Sequence, residues 1–319
     1  MLNLRIVGVL VLAFASQALL AQDKVKIGVF PVSSSLPHFV AAERGFYKEQ
    51  NLDVEMVRLI GGPPNVSALI TNQIDASAVL VTIEGMNANV KKPGVAMYIS
   101  VNAQNAKYQM EQFVVRKGYN ASSLKDLKGA RIMSAPGPAN VTMAKAVLAA
   151  AGLKEGDYRI DQLDMGQHIN AMTAGTFDAG YTLEPNASVM RRNGVASTLE
   201  AGVIAKYILG DPQAHAWVAG CVLSTDFIKG KPDVARRFTA AWEKAVRLIS
   251  ENPNEARRHL VKNTFTPAEV VDTVPLVKFT MVRELTAKNR AEFQKFIDFS
   301  VDAGTISEKV EVSRFLHQF

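Results

Sequence analysis

A chain of 319 residues is too long for one compact core and suits two α/β lobes of ordinary domain size. Its formal charge of +6 is modest, and basic residues such as Arg236-Arg237 and Arg257-Arg258 sit on helix-like segments without interleaved aromatics, which argues against a nucleic-acid partner. A single cysteine, Cys221, excludes an intramolecular disulfide, and without a spaced set of Cys or His it excludes a structural zinc site.

The chain opens with Arg5, an apolar run over 6–14, then Ala15-Ser16-Gln17-Ala18, with Ala21 ahead of Gln22. This is the layout of a secretory signal peptide over 1–21, cleaved near Ala21, and the run is shorter than the roughly 20 residues needed to span a bilayer. No cysteine lies near the cleavage point, so a lipid anchor is not indicated and a freely diffusing periplasmic protein is expected. Removing Arg5 leaves 35 basic against 30 acidic residues, a charge of +5.

Segment 25–30 reads as a strand that breaks at Pro31 and the Ser33-Ser34-Ser35 loop, with a helix expected over 37–50. A second strand, 54–60, ends at Gly61-Gly62-Pro63-Pro64 and leads into a helix from 65, followed by an apolar strand at 76–81. The same grammar restarts with a strand at 131–134, the Pro136-Gly137-Pro138 loop and an Ala-rich helix over 139–151 that stops at Gly152. Strands at 157–163 and 179–183 flank a helix at 167–173. Beyond Cys221 the pattern turns helical, over 232–251, 267–274, 287–303 and 307–316. Alternation of strands and helices predicts parallel sheets covered by helices on both faces.

Several segments carry a family likeness. They are Val25-Lys26-Ile27-Gly28, the run Phe39-Val40-Ala41-Ala42-Glu43-Arg44-Gly45-Phe46-Tyr47, Gly61-Gly62, Ile74-Asp75, Leu124-Lys125-Asp126-Leu127-Lys128-Gly129 and Gly175-Thr176-Phe177-Asp178-Ala179. In this order they resemble the type II periplasmic binding proteins of ABC importers, in the branch for nitrate, sulfonate, taurine and thiamine-precursor uptake. The likeness covers essentially the whole chain after the leader. It implies two Rossmann-like lobes joined by a two-crossing hinge, with ligand in the interlobe cleft. Lobe one is expected over 24–112 and 220–319 and lobe two over 113–219, with crossings near 113–116 and 216–222. The resemblance further implies a monomer without a cofactor that closes on a small molecule and passes it to a membrane permease. Asp75 and Asp178 occupy equivalent places before a strand in each lobe and are expected to cap or turn locally.

In open parallel sheets, ligands sit beyond the carboxyl ends of the strands. That rule selects five loops. The first carries Ser34, Ser35 and His38, for which ligand contact and a solvated turn both stand open. In the second, Gly61-Gly62 lets backbone approach a ligand, and Asn65 either caps the helix or donates to the ligand. Thr82 is the polar residue of the third. The fourth presents Gly137 and the N–H groups of Ala139 and Asn140 at the positive end of a helix, a setting for a carboxylate, sulfonate or nitrate oxygen. In the fifth, Glu184 accepts from a ligand or supports the hinge. Trp217, near the second crossing, either lines the cleft or packs as a structural residue.

No loop offers an Arg or Lys for a bidentate anion clamp, which favours an organic acid with a hydrophobic or aromatic body over nitrate. The expected ligand is therefore a small organic anion, a sulfonate or carboxylate. The alternatives are a thiamine-precursor-like or other neutral or cationic molecule, or an enzyme on the same fold. Against catalysis, there is no Gly-x-Ser-x-Gly nucleophile turn, no cysteine-rich motif, and no metal-ligand spacing among the five histidines.

Overall fold

The computed structural model describes residues 21–264 and 266–319, so the expected leader lies outside the described residues except for Ala21. Among the described residues the strands are β1 (Asp23–Val29), β2 (Leu52–Arg58), β3 (Ala76–Val81), β4 (Met97–Gln104), β5 (Glu111–Arg116), β6 (Arg131–Ser134), β7 (Arg159–Gln162), β8 (Ala179–Leu183), β9 (Ala196–Ala201), β10 (Ala216–Leu223) and β11 (Lys278–Met281). They form a six-stranded sheet, β11-β4-β10-β3-β1-β2, and a five-stranded sheet, β7-β6-β8-β5-β9.

The two sheets repeat one plan. In the first, β1 lies between β2 and β3 and is parallel to both; in the second, β6 lies in the same way between β7 and β8. Next to β3 comes the antiparallel β10, and next to β8 the antiparallel β5. Each of those two strands enters its sheet from the other lobe. The expected crossings at 113–116 and 216–222 are thus interior strands, and the chain passes between sheets at 105–110 and returns at 202–215. The reason is visible in β10, whose eight residues are all buried: a strand with apolar neighbours on both faces reads as a continuous apolar run without alternation.

The aspartates hold the repeat in register. Lys26 N–H donates to Asp75 Oδ2 at 2.8 Å while Asp75 N–H donates back to the Lys26 carbonyl at 2.8 Å. Arg131 and Asp178 make the same exchange, at 3.0 and 2.8 Å, and the Arg131 guanidinium adds a salt bridge. Each pair ties the start of a central strand to its parallel neighbour, a link across 49 and 47 residues in place of the local cap or turn expected.

Gly45, at φ +75°, breaks the helix expected over 37–50 into Leu36–Glu43 and Phe46–Glu49. The helix expected from Asn65 starts earlier and spans Gly62–Ile70, with prolines in its first turn where their missing N–H groups cost nothing. Helix Pro232–Glu251 runs as expected, burying Val234, Phe238, Ala241, Trp242, Ala245 and Ile249 at helical spacing against the first sheet, where Trp242 Nε1 donates to Ser100 at 2.8 Å. Two expected helices are not α-helical: 267–274 holds a 3₁₀ turn at Val271–Thr273, and 307–316 holds one at Val312–Phe315. Strand β11, which follows the first of these, caps the edge of the sheet beside β4.

Candidate functional site

The carboxyl ends of β1, β3, β6 and β8 meet between the two sheets. The first sheet contributes Phe30, Ser34, Gly61, Gly62, Val79 and Val81 to this cleft, and β10 adds Val218 and Ala219. The second sheet and its approach contribute Met110, Glu111, Asn140 and Leu183. The walls are largely apolar and the free volume is only about 30 Å³, roughly two waters. No lysine or arginine lines this space.

All five loops expected at the site thus reach it or its rim, but with only some of the side chains expected. Ser34 and Asn140 line it, and Gly137 and Ala139 stand at its edge. Asn140 Nδ2 donates to the Pro136 carbonyl four residues back at 2.7 Å, and Asn65 does the same to Gly61 at 2.8 Å while accepting from Ser77 at 2.8 Å. Asn65 is fully buried, inside the helix instead of capping it. Ser35 donates to the Phe30 carbonyl and Thr82 to the Trp217 carbonyl. His38 neither faces water nor lines the cleft; it is buried beside Phe39 and Tyr47 in lobe one, where burial lowers its pKa to about 4.

Glu184 is consumed within lobe two. Its Oε1 accepts from Gln112 and Arg191 and its Oε2 from the Ser188 N–H, and burial raises its pKa against the opposing pull of Arg191. Trp217 is fully buried and stacks on His215 with ring centroids 5.4 Å apart.

Sequence reasoning passed over two acids here: Glu111 lines the cleft, and Glu84 packs behind Gly62 and Gly137 at its edge. Glu84, in the first turn of the helix Thr82–Lys91, reaches across from lobe one and accepts the backbone N–H of Ala139. Its carboxylate therefore occupies the helix N-terminus expected to receive an anion. Two glycines make room for it. A Cβ on Gly62 would lie 1.5 Å from Glu84 Oε2, and one on Gly137, itself at φ +103°, would lie 3.2 Å from Oε1. Glu84 as a residue is only partly buried, yet its Oε2 has no access to solvent and no hydrogen-bond partner. Burial raises its pKa to about 7 despite the Ala139 N–H, which acts in the other direction.

Glu111 begins β5 at the floor of the cleft and is 8% exposed. Its N–H donates to Gln104 Oε1 at 3.2 Å, but its Oε2 has no partner, and burial raises its pKa to about 7. The Tyr181 hydroxyl, lining the same corner as Glu111, Ala139 and Asn140, is also sealed and unpartnered. Neither Glu84 nor Glu111 forms an ion pair among the described residues.

A family model described as NMT1/THI5 like matches residues 33–256. The Bacillus subtilis (strain 168) protein YtlA, described as a binding protein, is 24% identical over 288 residues, covering 84% of this chain and 80% of its own. Among solved structures, the alkanesulfonate-binding protein SsuA from Xanthomonas axonopodis pv. citri, bound to MOPS, superposes with a TM-score of 0.73 at 19% identity, over 93% of this chain and 98% of that one. The periplasmic aliphatic sulphonate binding protein SsuA from Escherichia coli gives 0.71 at 19% identity, over 93% and 92%. The desulfurization enzyme DSZB also superposes, with a TM-score of 0.66 at 13% identity over 92% of this chain and 96% of that one, so the fold is not confined to binding proteins. These likenesses establish the expected fold, the two-lobed type II periplasmic binding protein architecture.

Proposed function

The chain belongs to the NMT1/THI5-like family, and from that premise we propose that it is the periplasmic solute-capturing component of an ABC importer, closing its two lobes on a small molecule and presenting it to a membrane permease. One observation carries the reading: strand ends of both lobes converge on an apolar cleft in which Glu111 Oε2 and the Tyr181 hydroxyl lack partners. A solute held there would complete their bonding in the closed state and so favour it. The paired crossings at 105–110 and 202–215 supply the hinge, and a single copy of the chain contains every group invoked. The binding-protein names of YtlA and of the two SsuA structures support the same reading.

The organic-anion form of this function is the weaker one. Glu84 already satisfies the Ala139 N–H, and a ligand carboxylate or sulfonate would meet the buried Glu111 and no lining cation. An enzymatic role has less support, since Cys221 is fully buried in β10 and burial pushes its thiol well above the ordinary range, away from thiolate chemistry.

The test is a thermal-shift screen over amines, amidines, carboxylates and sulfonates, followed by solution scattering. A ligand at a hundred times its Kd adds about 2.7 kcal/mol to stability by mass action. The radius of gyration should then fall at saturation. A bound solute that leaves it unchanged would refute closure.

A further inference from the structure

We propose that the protein carries a second ligand site outside the cleft, a cavity beside the outgoing crossing that takes an organic anion with a flat apolar body; it stands whether or not the solute-capture reading does. The cavity has about 470 Å³ of free space against about 30 Å³ in the cleft, which is the size of ordinary small-molecule sites. Its walls come from three places in the fold: Lys107 and Tyr108 on the crossing at 105–110, Ile249 near the end of helix Pro232–Glu251, and Leu276, Lys278 and Phe279 at and just before the start of β11. Among the described residues only Val277 lines both this cavity and the cleft, so the two adjoin and are distinct.

The positive charges that the cleft lacks are gathered here. Lys107, Arg257 and Lys278 line the cavity, and among the described residues no acid does. Arg257 is fixed by bonds to neutral acceptors, from Nε to the Val274 carbonyl at 2.8 Å and from Nη1 to Asn254 Oδ1 at 2.6 Å. Burial lowers its pKa while Asp272, an exposed acid off the wall, pulls the other way, so the guanidinium has given up part of its water without gaining a carboxylate partner. Lys107 stands exposed at the rim, its ammonium 5.1 Å from the centre of the Tyr108 ring. Lys278 Nζ lies 3.5 Å from His215 Nε2, and Glu292 stands at the ring's other nitrogen, 3.3 Å from Nδ1. Arg257 and Lys107 thus remain without a carboxylate beside an apolar floor. A carboxylate or sulfonate there would accept from the guanidinium fork, while Tyr108, Ile249, Leu276 and Phe279 cover an aromatic ring.

The experiment is calorimetry on the purified protein at pH 8 with probes of one shape: 2-naphthoate, naphthalene-2-sulfonate and the uncharged 2-naphthamide. Both anions should bind, about tenfold or more tighter than the amide, and their affinity should fall as salt is raised. Lys107→Glu should weaken anion binding by about tenfold or more and leave the melting temperature unchanged, because the side chain is exposed. Arg257→Gln should weaken it as well, even where the loss of its bonds to Val274 and Asn254 lowers the melting temperature. Naphthamide binding as tightly as the anions would overturn the assignment, as would the absence of anion binding at millimolar concentration. Anion affinities unchanged in Lys107→Glu would overturn it too; if one of those anions still contracts the protein in solution scattering, the second site falls and the solute-capture reading stands.

Discussion

Glu111 places a carboxylate in a buried setting that leaves its Oε2 without a hydrogen-bond partner, and that has a measurable cost. Burial raises its pKa from 4.5 to about 7, so between those values the folded chain holds a proton that the unfolded chain has released. Stability from this group therefore falls as pH rises through that window. The penalty is absent below about 4.5 and complete above about 7, where it amounts to about 3 kcal/mol. The Tyr181 phenol, which the charge on Glu111 pushes further up, stays neutral throughout. Glu111→Gln should accordingly be more stable than the parent at pH 8, by up to about 3 kcal/mol, and match it near pH 4 in denaturant titrations. A difference independent of pH would mean that Glu111 is not a buried charge. Neither this residue nor Glu84 was legible from the sequence, because an acid in a helix's first turn or at a strand's start is ordinarily exposed. Nothing local to Glu84, two positions past Thr82, announces that Gly62 and Gly137 will clear a space for it. The loops themselves were legible, since Gly61-Gly62 and Pro136-Gly137-Pro138 interrupt the apolar pattern plainly.

The elements that join the lobes are bonded to each other. Ala106 N–H donates to the Pro212 carbonyl at 3.0 Å, and Asn105 Nδ2 to the Gln213 carbonyl at 3.1 Å, so the outgoing and returning crossings lie side by side. Gly202 stands where they are closest. Its φ is +67°, and an added Cβ would lie 2.9 Å from the Ala106 amide nitrogen and the Asn105 carbonyl carbon, both backbone atoms that cannot swing aside. Gly202→Ala should cost about 1–3 kcal/mol, more than Gly118→Ala, where φ is +84° but nothing lies within 4 Å. Equal losses in thermal melts would show that the crossings do not press on each other. Sequence patterning recovered β3, β6 and β8 and the helix Pro232–Glu251, where period and flanking turns agree. It did not assign the strands whose state depends on distant partners. β5 and β10 earn their place by insertion into the other lobe's sheet, and β11 by pairing with β4, none of which local periodicity records. At 267–274 apolar spacing suggested a helix, but the residues turn at Val271–Thr273 and the chain goes on into β11.

At the scale of the molecule, polar as well as apolar contacts hold the lobes together across the cleft. The Ser33 N–H donates to the Glu184 carbonyl at 3.2 Å, Ser33 Oγ meets Met110 Sδ at 3.3 Å, and Glu84 accepts from Ala139. The last is a charge-assisted bond when Glu84 is ionised, and such bonds contribute about 2 kcal/mol, roughly thirtyfold in an equilibrium between open and closed forms. It also places a protein carboxylate at a helix N-terminus where an anionic solute would otherwise compete for the same N–H. Gly62→Ala tests its weight without disturbing either lobe. The new methyl claims the position of the Glu84 carboxyl, which is the free end of a rotatable side chain, and Gly62 itself needs no positive φ. The carboxylate must then leave Ala139 while both sheets keep their cores. Unliganded Gly62→Ala should show a larger radius of gyration than the parent at pH 8, with a melting temperature close to it. An unchanged radius would mean that the Glu84 contact adds nothing to the closed population of the unliganded protein.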